Sequence, residues 1–122
     1  MISKKDISFI QPSRNNLKYL KWSYDSIRKN GGPEPTICVA DDFSNDGTWE
    51  WCQTMMESDP NFKAIRNEGP TRLGHTILYD TLINEVATTP IIGIYHADMY
   101  LCPGALESVL EHIKPLSVVS LT

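Results

Sequence analysis

Short apolar runs alternate along the chain with stretches in which apolar residues recur every three or four positions. Residues 7–10, with Ile7, Phe9 and Ile10, read as a buried strand closed by Gln11-Pro12-Ser13. Leu17, Leu20, Tyr24 and Ile27 then fall on one face of a helix, because positions three and four apart are helical neighbours. Asn30-Gly31-Gly32-Pro33 ends that helix, with glycine in the left-handed terminal position and proline blocking a further turn. Residues 36–40 predict a second strand. A second helix is expected from about Asp46 through Trp49, Cys52 and Met56, with Ser44 or Asn45 as its N-cap. Residues 62–66 predict a third strand. The stretch after Gly74 predicts a helix whose apolar face is Ile77, Leu78, Leu82, Ile83 and Val86.

Residues 91–95 form a continuous apolar run and predict a buried fourth strand. Pro103 suits the first position of a fourth helix, buried through Leu106, Val109, Leu110 and Ile113. Residues 116–121 are a last strand candidate. Strand alternating with helix in this way implies crossover connections and a mainly parallel sheet covered on both faces. The expected fold class is α/β, a Rossmann-like three-layer α/β/α arrangement. The whole of residues 1–122 reads as one domain, without repeat or linker, that ends directly after its last strand.

Composition narrows the partners more than the fold. A net charge of -4 and 21% charged residues provide no basic stripe, so a nucleic-acid groove is not expected. Cys38, Cys52 and Cys102 lie far apart with no C-x-x-C spacing, which points to small apolar fillers and away from a disulfide framework or zinc site. The first residues, Met1-Ile2-Ser3-Lys4-Lys5-Asp6, lack the apolar core of a signal peptide. No uncharged apolar run approaches the ~20 residues of a membrane span. The expectation is a cytoplasmic protein, with peripheral membrane attachment left open.

Candidate chemistry follows from where ligands bind in parallel α/β sheets, outside the carboxyl ends of the strands. Pro12-Ser13-Arg14-Asn15 follow the first strand, and Asp41-Asp42-Phe43-Ser44-Asn45-Asp46-Gly47-Thr48 follow the second. Capping accounts for Ser44, Asn45 and Asp46 but leaves the Asp41-Asp42 doublet unexplained, since adjacent carboxylates repel. A carboxylate there can accept from a base N–H or a ribose hydroxyl. After the fourth strand, His96 and Asp98 are two apart on extended chain and can face one ligand together, with Ala97 between them. An imidazole nitrogen and a carboxylate can share a divalent cation.

Gly69-Pro70-Thr71-Arg72-Leu73-Gly74-His75-Thr76 matches a phosphate-binding P-loop except that His75 replaces the lysine and Pro70 lacks an N–H. Two readings remain there: Arg72 near a diphosphate on a glycine turn, or a structural turn. Trp49 and Trp51 cannot share one helix face, so one is expected in the core and one partly exposed. Lys18, Lys21, Arg28 and Lys29 read as a solvated helix face, and His112 as a solvated residue of the last helix.

These residues together resemble the family-2 glycosyltransferases, which have the GT-A fold. The resemblance runs nearly end to end, through Pro12-Ser13-Arg14-Asn15, the eight-position D-D-x-S-x-D-G-T over residues 41–48, Asn67-Glu68-Gly69 and His96-Ala97-Asp98. It implies that Pro12, Ser13, Arg14, Asn15, Asp41, Asp42, Gly69, Arg72, His96 and Ala97 bind a nucleotide. Asp42 would contact the base, with Asp41 supporting it. His96-Ala97-Asp98 stands where the family has D-x-D, so Asp98, with His96, would bind Mg²⁺ or Mn²⁺ bridging the phosphates of a nucleotide-sugar donor, a UDP-sugar first among them. Transfer of a hexosyl or related group to an acceptor hydroxyl would invert the anomeric carbon. The resemblance implies further that the acceptor site and catalytic base lie beyond Thr122, so that these residues are a GT-A domain incomplete at the C-terminus. Two other readings stay open: a truncated, non-catalytic nucleotide-sugar-binding module, and a nucleotidyltransferase with a related core.

Overall fold

A computed structural model of the chain describes residues 2–115 and 117–120. Four strands, β1 (Ile7–Ser13), β2 (Thr36–Asp42), β3 (Phe62–Asn67) and β4 (Ile91–Ile94), form one parallel sheet in the order β3-β2-β1-β4. Between them lie helices α1 (Leu17–Gly31), α2 (Thr48–Ser58) and α3 (His75–Thr81), the last continued by a π-helical turn over Leu82–Val86. Helix α4 (Ala105–His112) follows β4. This is the mainly parallel α/β/α architecture that the alternation predicts.

Both faces of the sheet are covered along β1 and β2, which is why these two strands carry buried residues on both sides. Ile7, Phe9, Ile37 and Val39 point to one face and pack with Leu20 and Ile27 of α1, Cys52 of α2 and Leu106 of α4. Ile10, Cys38 and Ala40 point to the other and meet Leu78 and Leu82. Each fully buried Leu or Ile contributes about 2 kcal/mol. Burial pushes the Cys38 thiol up to about 11 and the Cys52 thiol to about 12, so both behave as inert fillers, whereas Cys102 is exposed. Among the described residues no helix is long and apolar enough to cross a membrane.

Several expectations change in detail. β1 and β2 run on to Ser13 and Asp42, so these polar residues are strand residues whose side chains are buried. α2 begins at Thr48 after Gly47 in the left-handed region (φ 92°), and neither Ser44 nor Asn45 caps it. The N-cap is Gly47, and the Asp46 side chain before it accepts from the Thr48 N–H at 3.1 Å. Ile77 and Ile83 are exposed, while Leu78 and Leu82 are buried and Val86 packs partly buried against the same cluster. β4 stops at Ile94 and stands at the edge of the described sheet, with Ile94 66% exposed rather than buried.

Pro103 lies in the turn before α4, which starts after Gly104 (φ 80°). Of the last strand candidate, residues 117–120 are not in a strand, and Leu116 and Leu121 lie outside the described residues. Trp49 and Trp51 are both half-buried against the same core, Trp51 edge-on to Tyr24 and Phe62 at 5.6 Å. Arg28 is not on a solvated face: it is drawn in by Asp59 at 2.9 Å, while Lys18, Lys21, Lys29 and His112 are exposed as expected.

Candidate functional site

Strand order reverses at β1, since β2 and β3 lie on one side of it and β4 on the other. A crevice therefore opens at the carboxyl ends of β1 and β4. A cleft of ≈ 350 Å³ occupies it, lined by Pro12, Ser13 and Arg14 from the end of β1 and by His96, Ala97 and Asp98 after β4. Asn16 and His75 complete the lining. Neither was singled out as a contact by sequence. His75 could have been, as the first residue of a helix that follows a glycine turn at this edge.

Two polar atoms of cleft-lining residues, Ser13 Oγ and Arg14 Nε, are buried without a hydrogen-bond partner among the described residues. Orphaned buried polar atoms are rare in folded proteins, and here they belong to residues that face one cavity. Arg14 forms no ion pair among the described residues. Its guanidinium can pair with the oxygens of an anionic ligand, and the Ser13 hydroxyl can donate beside it.

The remaining expected residues build the walls. Asn15 sits in the left-handed region (φ 48°), which asparagine tolerates. Its N–H donates to Ser44 Oγ at 2.9 Å, and its Oδ1 accepts from the Asn45 N–H at 2.8 Å. Asp46 spans the same two loops, accepting from the Leu17 N–H at 3.1 Å as well as from Thr48. Burial works against the Asp46 carboxylate, but the Thr48 and Leu17 donors outweigh it and hold its pKa below the usual range. The segment that carries Ser13 and Arg14 is thereby fastened to the β2–α2 loop.

Asp41 is fully buried, and burial raises its pKa against the opposing effects of Ser44 and Arg66. Its Oδ2 lies 3.3 Å from Arg66 Nε, an ion pair without an aligned hydrogen bond. Asp42, expected to contact a base, is 2% exposed. Its carboxylate accepts from Asn67 Nδ2 and the Leu73 N–H at 2.9 Å and from the Gly74 N–H at 3.0 Å. Burial raises its pKa, yet these donors and the Arg72 charge outweigh that and lower it.

Asp42 thus organises the β3–α3 loop from inside. The same bonds count against the P-loop reading, because two of the loop amides, those of Leu73 and Gly74, already hold a carboxylate. The structural turn is the reading that the geometry favours. Gly69 (φ 74°) is needed because a Cβ there would stand 2.6 Å from the Phe43 ring, and Arg72 is exposed outside the cleft lining.

On the opposite wall His96 and Asp98 are exposed while Ala97 is buried, but the segment is a turn, closed by the Met99 N–H donating to the His96 carbonyl at 3.3 Å, and not the extended chain that the sequence predicts. Tyr79 of α3 stands beside them, its hydroxyl 3.4 Å from His96 Nδ1. Burial, and then the Asp98 charge, raise the Tyr79 pKa and keep it a neutral phenol. No group of three or more His, Cys, Asp or Glu side chains among the described residues could hold a metal alone. A single carboxylate such as Asp98 can hold a cation that arrives with phosphate oxygens to complete its shell, the usual manner of Mg²⁺.

The family model described as Glycosyl transferase family 2 matches residues 8–120. The Uncharacterized protein MT1568 of Mycobacterium tuberculosis is 33% identical over 116 residues, covering 95% of this chain and 35% of that protein. The mannosyltransferase PcManGT from Pyrobaculum calidifontis, solved in complex with GDP-Man and Mn²⁺, is 25% identical with a TM-score of 0.62, over 76% of this chain and 27% of its own. S. aureus TarS 1-349 in complex with UDP is 23% identical with a TM-score of 0.69, over 88% of this chain and 32% of its own. The fold is that of the GT-A glycosyltransferases. The chain spans about a third of the length of these relatives.

Proposed function

Since the chain belongs to glycosyl transferase family 2, we propose that it forms the donor-binding half of a glycosyltransferase. The whole protein takes a nucleoside-diphosphate sugar and passes the sugar to an acceptor hydroxyl with inversion. The observation that carries this reading is the cleft at the strand-order reversal, where Ser13 Oγ and Arg14 Nε are buried without partners and which His96 and Asp98 also line.

In this reading Arg14 and Ser13 bind oxygens of the diphosphate, and Pro12 and Ala97 keep the floor narrow and apolar. Asp98 and His96 hold Mn²⁺ or Mg²⁺ together with the diphosphate, the nitrogen ligand favouring Mn²⁺ of the two. When bound, that cation supplies Lewis-acid neutralisation of the charge that develops on the leaving diphosphate. Asp42 acts through the loop it organises, which sets the height of His75 at the cleft rim. The base of the nucleotide lies against the laced Asn15–Asn45 wall, with Asp41 beneath it. The likeness to a mannosyltransferase that carries GDP-Man and Mn²⁺ supports a nucleoside diphosphate and a divalent cation.

A melting panel with UDP, GDP, CDP and dTDP, each with and without Mn²⁺ or Mg²⁺, tests the proposal. A nucleotide at about ten times its Kd stabilises by about 1.4 kcal/mol, readily seen as a rise in Tm. UDP is expected to raise Tm most, and only when the cation is present. No rise with any of the nucleotides at millimolar concentration with metal contradicts the reading.

A further inference from the structure

The ladder between β1 and β4 runs out of donors at its carboxyl end. The last paired residues are Ile10 and Ile94, and one step further the Tyr95 N–H donates to the Ile10 carbonyl at 3.2 Å. In a parallel ladder the Tyr95 carbonyl would next accept from the N–H of residue 12. Residue 12 is proline and has none. The Tyr79 hydroxyl takes that place, donating to the Tyr95 carbonyl at 3.2 Å.

A phenol has one proton. A carbonyl can only accept, so once the proton points there, the Tyr79 oxygen meets His96 Nδ1, 3.4 Å away, as an acceptor. Nδ1 then carries hydrogen, and in the neutral ring Nε2 keeps its lone pair. The backbone of His96 is fixed from the other face of the sheet, where its carbonyl accepts from Gln11 Nε2 at 3.3 Å. Its N–H faces Met99 Sδ at 3.4 Å.

We infer that Tyr79 is a positioning residue that sets His96 in the Nδ1–H form and turns the Nε2 lone pair toward the donor cleft. Free imidazole side chains favour the opposite tautomer, with hydrogen on Nε2, and that form can ligate a cation only through Nδ1, the nitrogen that here faces Tyr79. The Pro12 that lines the cleft thereby also governs which histidine tautomer faces it, through the Tyr95 carbonyl and the Tyr79 hydroxyl. The consequence for cation binding rests on the donor-cleft reading above; the tautomer itself does not.

Long-range ¹H–¹⁵N NMR of the nucleotide-free protein, well above the ordinary histidine pKa of about 6.5, reads the tautomer directly. His75, His96 and His112 are assigned by single His→Gln variants. His96 should show a protonated Nδ1 and a bare Nε2, and Tyr79→Phe should move the proton to Nε2. Mn²⁺-dependent UDP binding should weaken about tenfold in Tyr79→Phe, the usual cost of losing an outer partner of a ligating histidine. A wild-type His96 with hydrogen on Nε2 overturns the inference, and this spectrum decides it even if the variant does not fold. A Tyr79→Phe protein that keeps the Nδ1–H pattern overturns it too. Unchanged Mn²⁺-dependent binding alongside a shifted tautomer overturns the positioning role. If no form binds UDP, the donor-cleft reading fails while the tautomer result stands.

Discussion

Each end of the sheet holds a close arginine–aspartate pair, and the two ends differ in what remains unpartnered around it. At the amino ends of the strands, Arg28 Nε meets Asp59 at 2.9 Å, while its Nη nitrogens donate to the carbonyls of Gly32, Pro35 and Asn61. Asp59 also accepts from Tyr24 Oη at 2.7 Å and from the Asn61 N–H at 2.9 Å. This network joins α1, α2 and the entries to β2 and β3. At the carboxyl ends, Asp41 and Arg66 approach only to 3.3 Å, unaligned, and Ser13 Oγ and Arg14 Nε are buried with no partner. A polar network that satisfies its members rigidifies a fold; one that leaves members unsatisfied calls for an explanation, which the proposed donor cleft supplies.

The comparison breaks most visibly at the closed end. Arg28→Ala removes one member of a pair whose side chains are 15% and 11% exposed and leaves Asp59 uncompensated, so a stability loss of about 3 kcal/mol is expected by urea unfolding. UDP affinity of the folded fraction should not change, because no Arg28 contact reaches the cleft. A loss of affinity larger than the loss of stability would mean that the two ends are not separate.

Gly69→Ala tests the walls of the open end. The new Cβ meets the Phe43 ring in a backbone region that alanine rarely adopts, so about 2 kcal/mol of stability should go. Pairing it with Phe43→Leu should recover part of that loss.

Acid unfolding separates the two pairs with a smaller effect. At the closed end, burial raises the Asp59 pKa, but Tyr24, the Asn61 N–H and Arg28 outweigh it and lower it. Its contribution is present above the unfolded value of about 3.9 and is lost as pH falls through the folded value. Asp41, raised by burial, has the opposite sign: its contribution is present below the unfolded value and is lost as pH rises through the folded one. Asp59→Asn should therefore flatten the decline of stability below about pH 4. Asp41→Asn should steepen the decline just above that pH. Identical slopes in both variants would erase the electrostatic distinction.

The smallest effect on stability is expected at Asp98. The residue is exposed and makes no hydrogen bond or ion pair among the described residues, so Asp98→Asn should change stability by no more than about 0.5 kcal/mol.

Much of this was legible in the sequence because it depends on local period. Leu20 and Ile27 face the core at helical spacing, and the apolar runs at 7–10 and 36–40 are continuous because both faces of the sheet are covered. Six expected site residues, Pro12, Ser13, Arg14, His96, Ala97 and Asp98, meet in one cleft because they end or follow β1 and β4, which are neighbours at the reversal. What was not legible depends on partners distant in sequence. Arg28 has the spacing of a solvated lysine face, and only Asp59, on the loop after α2, makes it a staple. Asp42 ends a strand, and the amides of Leu73 and Gly74 that it holds come from a loop some thirty residues away. The role of Tyr79 needs the register of β1 against β4, which no local pattern encodes.

Isothermal titration of UDP into the wild-type chain and into Asp98→Asn, each with and without Mn²⁺, tests the central claim most directly. The account predicts wild-type binding that requires Mn²⁺ and is weakened at least about tenfold in Asp98→Asn, as for loss of a metal contact. Wild-type binding that is equal with and without Mn²⁺, or Mn²⁺-dependent binding that Asp98→Asn leaves intact, would contradict it.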